Sequence, residues 1–497
     1  MKCIITSFAI ILLLPTLTIA QSAHTYPIVD TNQIRTYNNT SRIKYPLRSS
    51  TFFGQDAQYQ GLKPSYQDNH DGTITDLNTS LMWQKEYQRA TYQQAVFGTK
   101  KCRTANHNDW RLPTIKELYS LIDFSGSDPD PRAATSSSIP FIDTSCFNFT
   151  FGDTSRGERI IDAQYWTSTI YTSTTMNGNK TAFGINFADG RIKGYPTSSP
   201  RDRNKQRFVR YVRGNTNYGK NNFIDNSDGT ITDKATGLIW AQNDSGEPMP
   251  WQEALKYCEQ LKLAGHTDWR LPNAKELQSI VDYSRSPDAT RSPAINPIFN
   301  TTTIKNEGNK KDYPQFWTST THKSQRGGTN AVYIAFGRAL GFMSPRPPSN
   351  NPRKTSRNAK LMDVHGAGAQ RSDMKSGNPD DYPQGHGPQG DVIRIENFVR
   401  PVRGGAAILI TKEPSLIKTE KQVQNTQLRS QIDLFIKRLD RNGDNKISKS
   451  EFDGPREHFS HIDRNGDNYI TADEAPTGPP KDPPSHESGS RPPKRHH

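Results

Sequence analysis

The sequence contains few cysteines, few apolar residues and no internal apolar run long enough to cross a bilayer. Four of its 497 residues are Cys and 32% are hydrophobic, whereas Gly and Pro number 35 and 34. So few cysteines exclude a disulfide framework as the main source of stability, and the missing apolar runs exclude a membrane-spanning chain. The low apolar share favours modest cores and long loops.

The sequence also lacks the motifs of common enzymes and nucleic-acid-binding proteins. It has no Gly-x-Ser-x-Gly elbow, no His-Glu-x-x-His pair and no zinc-finger spacing. We therefore expect neither catalysis nor nucleic-acid binding. The formal net charge of +14 favours an anionic partner such as an acidic polysaccharide, although a charged, soluble surface explains it equally well.

The first 20 residues have the layout of a secretory signal peptide. A positive start at Lys2 is followed by an apolar run over residues 8–14, and small residues end at Ala20 before a cut at Gln21. We therefore predict a cleaved signal peptide over 1–20 and a secreted or periplasmic protein. No cysteine follows the cut, so a lipid anchor is not expected.

The remaining cysteines leave two alternatives open. Cys102, Cys146 and Cys258 stay after cleavage. An oxidising compartment permits one disulfide, Cys102–Cys146, with Cys258 left over. Three free thiols are the other alternative.

The strongest internal feature is a long duplication. DGTITD begins at Asp71 and Asp228, DWRLP begins at Asp109 and Asp268, an aromatic-Trp-Thr-Ser-Thr block begins at Tyr165 and Phe316, and VRxVRG ends at Gly214 and Gly404. We place the first repeat at 64–214 and the second at 216–404, after an N-terminal linker over 21–63. The second repeat carries an insertion over 345–390, which its composition predicts to be a long loop.

Each repeat has a readable local structure. The Asp-Gly dipeptides predict turns that open a hairpin ending at Trp83 or Trp240. The apolar spacing of Trp251, Ala254, Leu255, Cys258 and Leu261 predicts an amphipathic helix. A second helix begins at a capping box, Thr114 with Glu117 or Asn273 with Glu276. The remainder reads as short strands, so each repeat is predicted to be an α+β domain.

These motifs, in fixed order and twice over, resemble the Lcl C-terminal domain family. The resemblance implies a C-type-lectin-like fold in secreted or surface proteins and binding of sulfated glycans or host surfaces. No Gly-X-Y collagen stalk is present, so trimerisation through one is not expected. The resemblance implies no settled chemistry.

Arginines beside the repeated motifs are the candidate glycan-binding residues. They are Arg111 and Arg270 after the motif tryptophans, and Arg210 and Arg400 in the closing strands. Guanidinium groups suit sulfate or carboxylate, although a solvated strand face explains the alternation equally well. The paired tryptophans, Trp83 with Trp240, Trp110 with Trp269 and Trp166 with Trp317, are interpreted as core.

The insertion contains possible metal ligands without a recognisable spacing. They are Asp363, His365, Asp373, Asp380, Asp381 and His386. Because no compact motif supports them, a metal site there is not predicted.

The C-terminal region carries two calcium-loop motifs of the EF-hand type. The first predicted ligand set is Asp440, Asn442, Asp444, the Lys446 carbonyl, Ser448 and Glu451; the second is Asp463, Asn465, Asp467, the Tyr469 carbonyl, Thr471 and Glu474. Their positions 1, 3, 5, 7, 9 and 12 place hard oxygen donors around one Ca²⁺ ion. Position 6 is usually Gly, and Asn445 and Asn468 stand there instead, which predicts weaker sites.

We therefore predict a small all-α EF-hand pair over 412–475 and a disordered, Pro-rich tail over 476–497. Residues Ile432, Phe435, Ile436 and Leu439 predict the entering helix, and Phe459 and Ile462 a short linking helix. Ca²⁺ is the expected cofactor. The predicted function is adhesion of a secreted, calcium-loaded protein to an anionic glycan or cell surface. A dockerin-like role, in which the pair recruits a protein partner, and an enzyme of unknown chemistry are the alternatives.

Overall fold

A computed structural model describes residues 24–130, 138–176, 178–198, 205–325, 327–343, 359–414, 435–436, 438–471 and 474–475. The predicted signal peptide over 1–20, the tail over 476–497 and residues 345–358 of the insertion lie outside these ranges. The chain divides into two units, Met1–Glu413 and Pro414–His497. Within the described ranges no helix has the length and apolarity needed to cross a membrane.

The segment predicted to be an N-terminal linker, 21–63, is instead packed against both repeats over its described residues, 24–63. Their strands are β1 (Thr36–Tyr37), β2 (Arg42–Ile43) and β3 (Tyr59–Gln60). The Phe124 amide of the first repeat donates to the Thr31 carbonyl at 2.8 Å, and the Gln33 side chain donates to the Thr321 carbonyl of the second at 2.7 Å. This segment is therefore an integral part of the first unit, which ties the two repeats together.

The first repeat follows the predicted order of hairpin, helix, helix and strands. Its elements are β4 (Tyr66–Asp68), β5 (Thr73–Asp76), β6 (Leu81–Gln84), β7 (Gln88–Ala90), α1 (Tyr92–Lys101), α2 (Ile115–Tyr119), β8 (Gln164–Thr175), β9 (Asn179–Asn186), β10 (Arg191–Pro196), β11 (Arg207–Val209) and β12 (Val212–Gly214). The turn at Gly72 has φ of 88°, a conformation that glycine adopts without strain. The capping box of Thr114 and Glu117 at the start of α2 is confirmed.

The second repeat repeats this order and adds strands. Its elements are β13 (Phe223–Asp225), β14 (Thr230–Asp233), β15 (Leu238–Ala241), β16 (Met249–Pro250), α3 (Trp251–Gln260), α4 (Ala274–Ser279), β17 (Ile304–Lys305), β18 (Lys311–Asp312), β19 (Gln315–Ser324), β20 (Gly327–Ala335), β21 (Leu340–Met343), β22 (Lys360–Asp363), β23 (Gln370–Met374), β24 (Glu396–Asn397) and β25 (Val402–Gly404). Strand β26 (Ile408–Leu409) follows the repeat and pairs with β3. The predicted amphipathic helix is α3, and the capping box of Asn273 and Glu276 opens α4. Strands far outnumber helices, so the described chain is largely β rather than evenly α+β.

One eight-stranded sheet is shared by both repeats. Its strand order is β19-β20-β23-β10-β9-β8-β11-β7. The repeats meet where β10 of the first and β23 of the second pair antiparallel, with Ile192 opposite Gln370. Two four-stranded sheets, β12-β6-β5-β4 and β13-β14-β15-β25, remain separate and have matching registers.

The insertion supplies the strand that joins the repeats, so its prediction as a loop was wrong. Strand β23 pairs along β20 over five residue pairs and contacts β10 on its other side. Strand β22 pairs with β21, with Leu340 opposite Asp363. The polar composition of these strands predicted a loop, because polar residues are usually exposed. Asp363, Gln370 and Asp373 are instead buried, and non-local hydrogen bonds satisfy their polar groups.

A reciprocal pair of lysines connects the two short helices. The Lys116 ammonium of α2 donates to the Ser279 carbonyl at the end of α4 at 2.7 Å. The Lys275 ammonium of α4 donates to the Ser120 carbonyl after α2 at 2.9 Å. Cations are favourable at helix C-termini, where carbonyl groups lack partners within the helix. The same lysine of the repeated KEL motif thus joins each repeat to the other.

The core of the first unit contains the repeated tryptophans, as expected. Trp83, Trp240, Trp166, Trp317 and Trp269 are at most 1% exposed and Trp110 is 4% exposed. In the matching hairpins, Trp83 lies opposite Ile74 and Trp240 opposite Ile231. Burial of these rings is the main apolar contribution of the motif.

The three cysteines that the structure describes are free, so the alternative of a Cys102–Cys146 disulfide is not adopted. Cys102 lies 3.3 Å from the Gln84 amide nitrogen, and Cys146 lies 3.7 Å from the Ser145 hydroxyl. Cys258 is fully buried on α3, where burial raises the pKa of its thiol.

The second unit is small. Its described elements are β27 (Ile447–Ser448), α5 (Arg456–Ile462) and β28 (Tyr469–Ile470), and residues 435–436 and 438–439 are helical. Ile436, Leu439, Ile447, Phe459 and Ile470 form its apolar core. The predicted linking helix is confirmed as α5, whereas part of the predicted entering helix, including Ile432, lies outside the described residues.

A buried carboxyl group is expected to make the stability of the first unit pH-dependent. Burial, together with the nearby Asp30, raises the pKa of Asp56 to about 8. Hydrogen bonds from the Thr320 hydroxyl at 2.5 Å and the Thr31 hydroxyl at 2.8 Å lower the pKa but do not cancel this rise. In the unfolded chain this group loses its proton near pH ~3.9. The folded state therefore holds one extra proton between these values, and the free energy of unfolding falls as pH rises from about 4 to about 8.

We expect Asp56→Asn to remove this fall, whose slope is at most about 1.4 kcal/mol per pH unit. Urea unfolding of both proteins at pH 5, 6, 7 and 8 measures it. Asp268→Asn, at a side chain 57% exposed, is the control and should keep the wild-type slope. Parallel slopes for wild type and Asp56→Asn would contradict the assignment.

Candidate functional site

The two predicted calcium loops lie side by side in the second unit. Strands β27 and β28 pair antiparallel, with Ile447 opposite Ile470. Both isoleucines are fully buried and pack on Phe459 of α5. The apolar residue at position 8 of each loop therefore anchors that loop, while the flanking polar positions remain at the surface.

In the first loop, both end carboxylates turn towards the loop backbone. Asp440 accepts hydrogen bonds from the Gly443 amide at 2.7 Å and the Asn445 amide at 2.8 Å. Glu451 accepts from the Arg441 amide through one oxygen at 3.0 Å. Its other oxygen accepts from the Ser448 hydroxyl at 2.7 Å. Positions 1, 9 and 12 are thus brought together.

The second loop repeats this arrangement contact by contact. Asp463 accepts from the Gly466 amide at 2.9 Å and the Asn468 amide at 3.1 Å. Glu474 accepts from the Arg464 amide at 3.0 Å and the Thr471 hydroxyl at 3.1 Å. The recurrence shows that the shared sequence pattern, rather than neighbouring contacts, dictates the geometry of these loops.

The sixth position of each loop has the backbone conformation that usually favours glycine. Asn445 has φ of 60° and Asn468 has φ of 66°. Asn adopts this left-handed region more readily than most residues. The loops therefore close with Asn at position 6, at a modest conformational cost.

Hydrogen bonds keep the position-12 carboxylates ionised. The Ser448 amide and hydroxyl lower the pKa of Glu451 to about 2. For Glu474, burial acts in the opposite direction, but the Asn465 and Thr471 amides outweigh it and the pKa is lowered. Anionic carboxylates are the form that a cation requires.

The second loop gathers its carboxylates most closely. Asp463, Asp467 and Glu474 each place one oxygen within 4.8 Å of the others. Three carboxylates with amide, hydroxyl and carbonyl oxygens form a hard donor set, which fits Ca²⁺ better than a softer transition metal. The Lys449 ammonium of the first loop donates to the Asn468 side chain at 2.5 Å and links the two loops.

The closing-strand arginines, predicted to contact a glycan, lie in the interior. Arg400 is 1% exposed and donates to the Ala241, Gln242 and Asn300 carbonyls at 3.1, 2.7 and 2.8 Å. Arg210 is fully buried and donates to the equivalent carbonyls of the first repeat, those of Gln84, Lys85 and Asn148. These two arginines hold strands together, which corrects their assignment as ligand-binding residues.

The arginines of the DWRLP motif are bound to the capping-box glutamates. Arg270 donates to both oxygens of Glu276 at 2.6 Å and is 3% exposed. Arg111 of the first repeat donates to only one oxygen of Glu117, and its side chain is 29% exposed. Each arginine lies six residues before its glutamate and holds that side chain at the start of α2 or α4. These two arginines are therefore also structural.

The acidic and histidine residues of the insertion are dispersed. Asp363 accepts from the Tyr171 hydroxyl at 2.8 Å, and His365 donates to or accepts from Asp391 at 2.9 Å. Asp373 caps the Arg394 and Ile395 amides at 2.9 and 2.8 Å. In the portion of the insertion that the structure describes, these residues form no group of three with converging ligand atoms.

The repeated motifs match one protein family. The sequence profile of the Lcl C-terminal domain matches residues 72–213 and 229–353, which together are more than half of the 497 residues. The chain belongs to the Lcl C-terminal domain family. Its two matched segments confirm the tandem repeat. No curated protein and no solved structure matches the chain.

The Lcl C-terminal domain match ends before several features that shape this chain. The profile stops at residue 353, so the joining strand β23, the closing strand β25 and both calcium loops lie beyond it. Lys116 and Lys275 lie within it, and sequence interpretation missed their role. The signal was present, because the same lysine stands in both copies of the KEL motif.

Proposed function

We propose that this chain is a secreted, non-enzymatic binding protein whose C-terminal loops bind two calcium ions. The observation that carries the proposal is the recurrence of one arrangement in both loops. In each, the first and twelfth carboxylates face the same loop interior and are held by backbone amides. The N-terminal pattern and the family resemblance support a secreted location.

In the proposed sites, Asp440, Asn442, Asp444, Ser448 and Glu451 hold one ion, with the Lys446 carbonyl. Asp463, Asn465, Asp467, Thr471 and Glu474 hold the other, with the Tyr469 carbonyl. Bound calcium offsets two of the three negative charges in each loop and stabilises the unit by mass action. Extracellular modules of this kind bind at about 10⁻⁴–10⁻³ M, so the sites would fill outside the cell.

Terbium luminescence tests this proposal in the full chain. Tb³⁺ replaces Ca²⁺ at oxygen sites, and Tyr469, at position 7 of the second loop and 39% exposed, is placed to sensitise it. We expect luminescence that saturates and is displaced by millimolar Ca²⁺ but not by equal Mg²⁺. Tyr469→Leu should lose the signal and keep calorimetric Ca²⁺ binding. An absence of both luminescence and heat would refute the proposal.

An anionic glycan or surface is the second candidate ligand. The formal charge of +14 favours it. Because Arg210, Arg400 and Arg270 are buried, exposed cations would have to make the contacts. Retention of the full chain on heparin at 0.15 M salt, with elution as salt rises, is the expected result. Passage without retention would remove this candidate and leave calcium binding untouched.

A further inference from the structure

A groove of about 840 Å³ opens beside the closing strand of the second repeat. It is lined by residues 246–248 and 302–305, by residues 379–380 and 382–383 of the insertion, and by residues 392–394. Gln315, Phe342, Asn397 and Phe398 also line it. We propose that this groove binds a neutral, hydroxyl-rich saccharide, a role beyond calcium binding and beyond adhesion to anions.

Two buried carboxamides at the groove lack hydrogen-bond donors. Gln315 is 2% exposed and Asn397 is 1% exposed, yet Gln315 Oε1 and Asn397 Oδ1 have no partner. Asn397 Nδ2 also has no hydrogen-bond partner, although the Asn397 side chain helps to lower the pKa of the neighbouring Asp373. A buried acceptor without a donor is costly, and such groups are rare in folded proteins. Sugar hydroxyls are donors of the kind these oxygens require.

The charges of the lining disfavour a sulfated or acidic ligand. Four carboxylates line the groove, against two cations. The carboxylates are those of Glu247, Glu307, Asp380 and Glu396, and the cations are Lys305 and Arg394. Arg394 already pairs with Glu307 through contacts of 2.7 and 3.1 Å. A neutral sugar avoids repulsion, and its hydroxyls can donate to the free carboxylates.

Flat apolar groups lie next to these acceptors. Phe342, Tyr382 and Phe398 contribute rings, and Pro248 and Pro383 contribute apolar edges. Ligand sites generally combine such surfaces with a few polar groups that fix orientation. The C–H face of a pyranose suits the rings, while its hydroxyls meet the carboxamides. A basic peptide would also suit the carboxylates, but the unpaired buried groups are neutral amides, which favours the sugar.

The first repeat provides an internal comparison, because its equivalent position is filled. The aligned closing strands place Arg207 where the second repeat has Asn397. Strand β23 takes the place of β10, so Asp373, opposite Ala331, stands where the first repeat has Tyr195 opposite Ala182. The Arg207 guanidinium lies 4.6 Å from the Trp166 ring and 4.9 Å from the Tyr195 ring. Gln164, the counterpart of Gln315, donates to Asp162 at 3.1 Å. In the second repeat the shorter Asn397 lies beside Asp373 instead, and its carboxamide oxygen has no partner.

The test uses the full chain in chelator, so that calcium binding has no part in the result. The probe is tetra-N-acetylchitotetraose, a neutral saccharide, followed by saturation-transfer NMR and calorimetry. We expect millimolar binding by wild type and at least a tenfold loss in Asn397→Arg, which restores the filling residue of the first repeat. Gln315→Met should show the same loss without a lower melting temperature, since it removes an unpaired acceptor. The matched control Gln164→Met should bind as wild type.

Each other outcome overturns the proposal. Wild type that fails to bind the probe, or an Asn397→Arg variant that binds equally well, would refute a saccharide site in this groove. A lower melting temperature in Gln315→Met with unchanged binding would assign that side chain a structural role. Tighter binding of a heparin tetrasaccharide, or of pentalysine, with loss in Asn397→Arg would assign the groove to an anion or a basic peptide instead.

Discussion

Replacing Arg400 by Met is expected to lower the free energy of unfolding of the first unit by about 3–5 kcal/mol. The guanidinium satisfies the Ala241, Gln242 and Asn300 carbonyls and is 1% exposed. Met fills much of the volume but donates no hydrogen bond. Each buried carbonyl left without a donor costs about 1–3 kcal/mol, so three of them exceed any gain from burying an apolar chain.

The loss should be specific to the buried arginine of the strand. Arg403, three residues later, pairs with Asp268, whose side chain is 57% exposed. An ion pair at that exposure contributes about 0–1 kcal/mol, so Arg403→Met should change stability little. Arg210→Met, which removes the equivalent contacts of the first repeat, should match Arg400→Met. The midpoint of urea denaturation, with the slope checked for constancy, compares all four proteins.

A small effect of Arg400→Met would show that water replaces the guanidinium at these carbonyls. Burial lowers the pKa of Arg400 to about 10, with Asp244 opposing the shift from 3.8 Å away. The group therefore remains charged below that pH, and its desolvation is offset by the carbonyl dipoles. An equal loss in Arg403→Met would mean that strand charge, rather than the buried contacts, stabilises the closing strand.

These arginines mark a boundary of what the sequence predicts. Alternation along the strand predicted several arginines on one face, and that placement is a property of any strand. Whether the face meets solvent or the interior depends on segments far away, such as the Asn148 and Asn300 loops that supply carbonyls. A single sequence carries no local signal for such partners.

Local features were predictable for local reasons. The capping boxes join Thr114 to Glu117 and Asn273 to Glu276, which are three residues apart. The Asp-Gly turns are closed by backbone hydrogen bonds between residues four apart. The repeated tryptophans were assigned to the core because large aromatic rings that recur at equivalent positions of two domains are usually buried. The pairing of β10 with β23 was not predictable, since its partners are separated by 178 residues, from Ile192 to Gln370.

The calcium loops belong to the predictable class, because every proposed ligand lies within one stretch of twelve residues. Replacing Glu474 by Gln is accordingly expected to weaken the second site at least ~100-fold, since each tenfold change corresponds to about 1.4 kcal/mol. Position 12 contributes two oxygens to calcium, and an amide offers one neutral oxygen in place of a bidentate anion. Isothermal calorimetry of the full chain should fall from two calcium ions to one.

The control for this variant lies outside both loops. Glu457 is exposed on α5, so Glu457→Gln makes the same chemical change without touching a proposed ligand. It should keep two sites of wild-type affinity. The double variant Glu451→Gln, Glu474→Gln should bind no calcium at millimolar concentration. A double variant that still binds two ions would refute the assignment of both twelfth positions.

The contact between the loops adds a sharper expectation for the single variants. Ile447 pairs with Ile470, and Lys449 reaches the Asn468 side chain at 2.5 Å, so ordering one loop positions the other. Binding at one site should therefore lower the ordering cost at its neighbour. Glu451→Gln should then remove the first site and also weaken the second, whereas independent loops would leave the second at wild-type affinity. Calorimetry of Glu451→Gln beside Glu474→Gln distinguishes the two cases, because coupling must weaken the surviving site in both variants by the same factor.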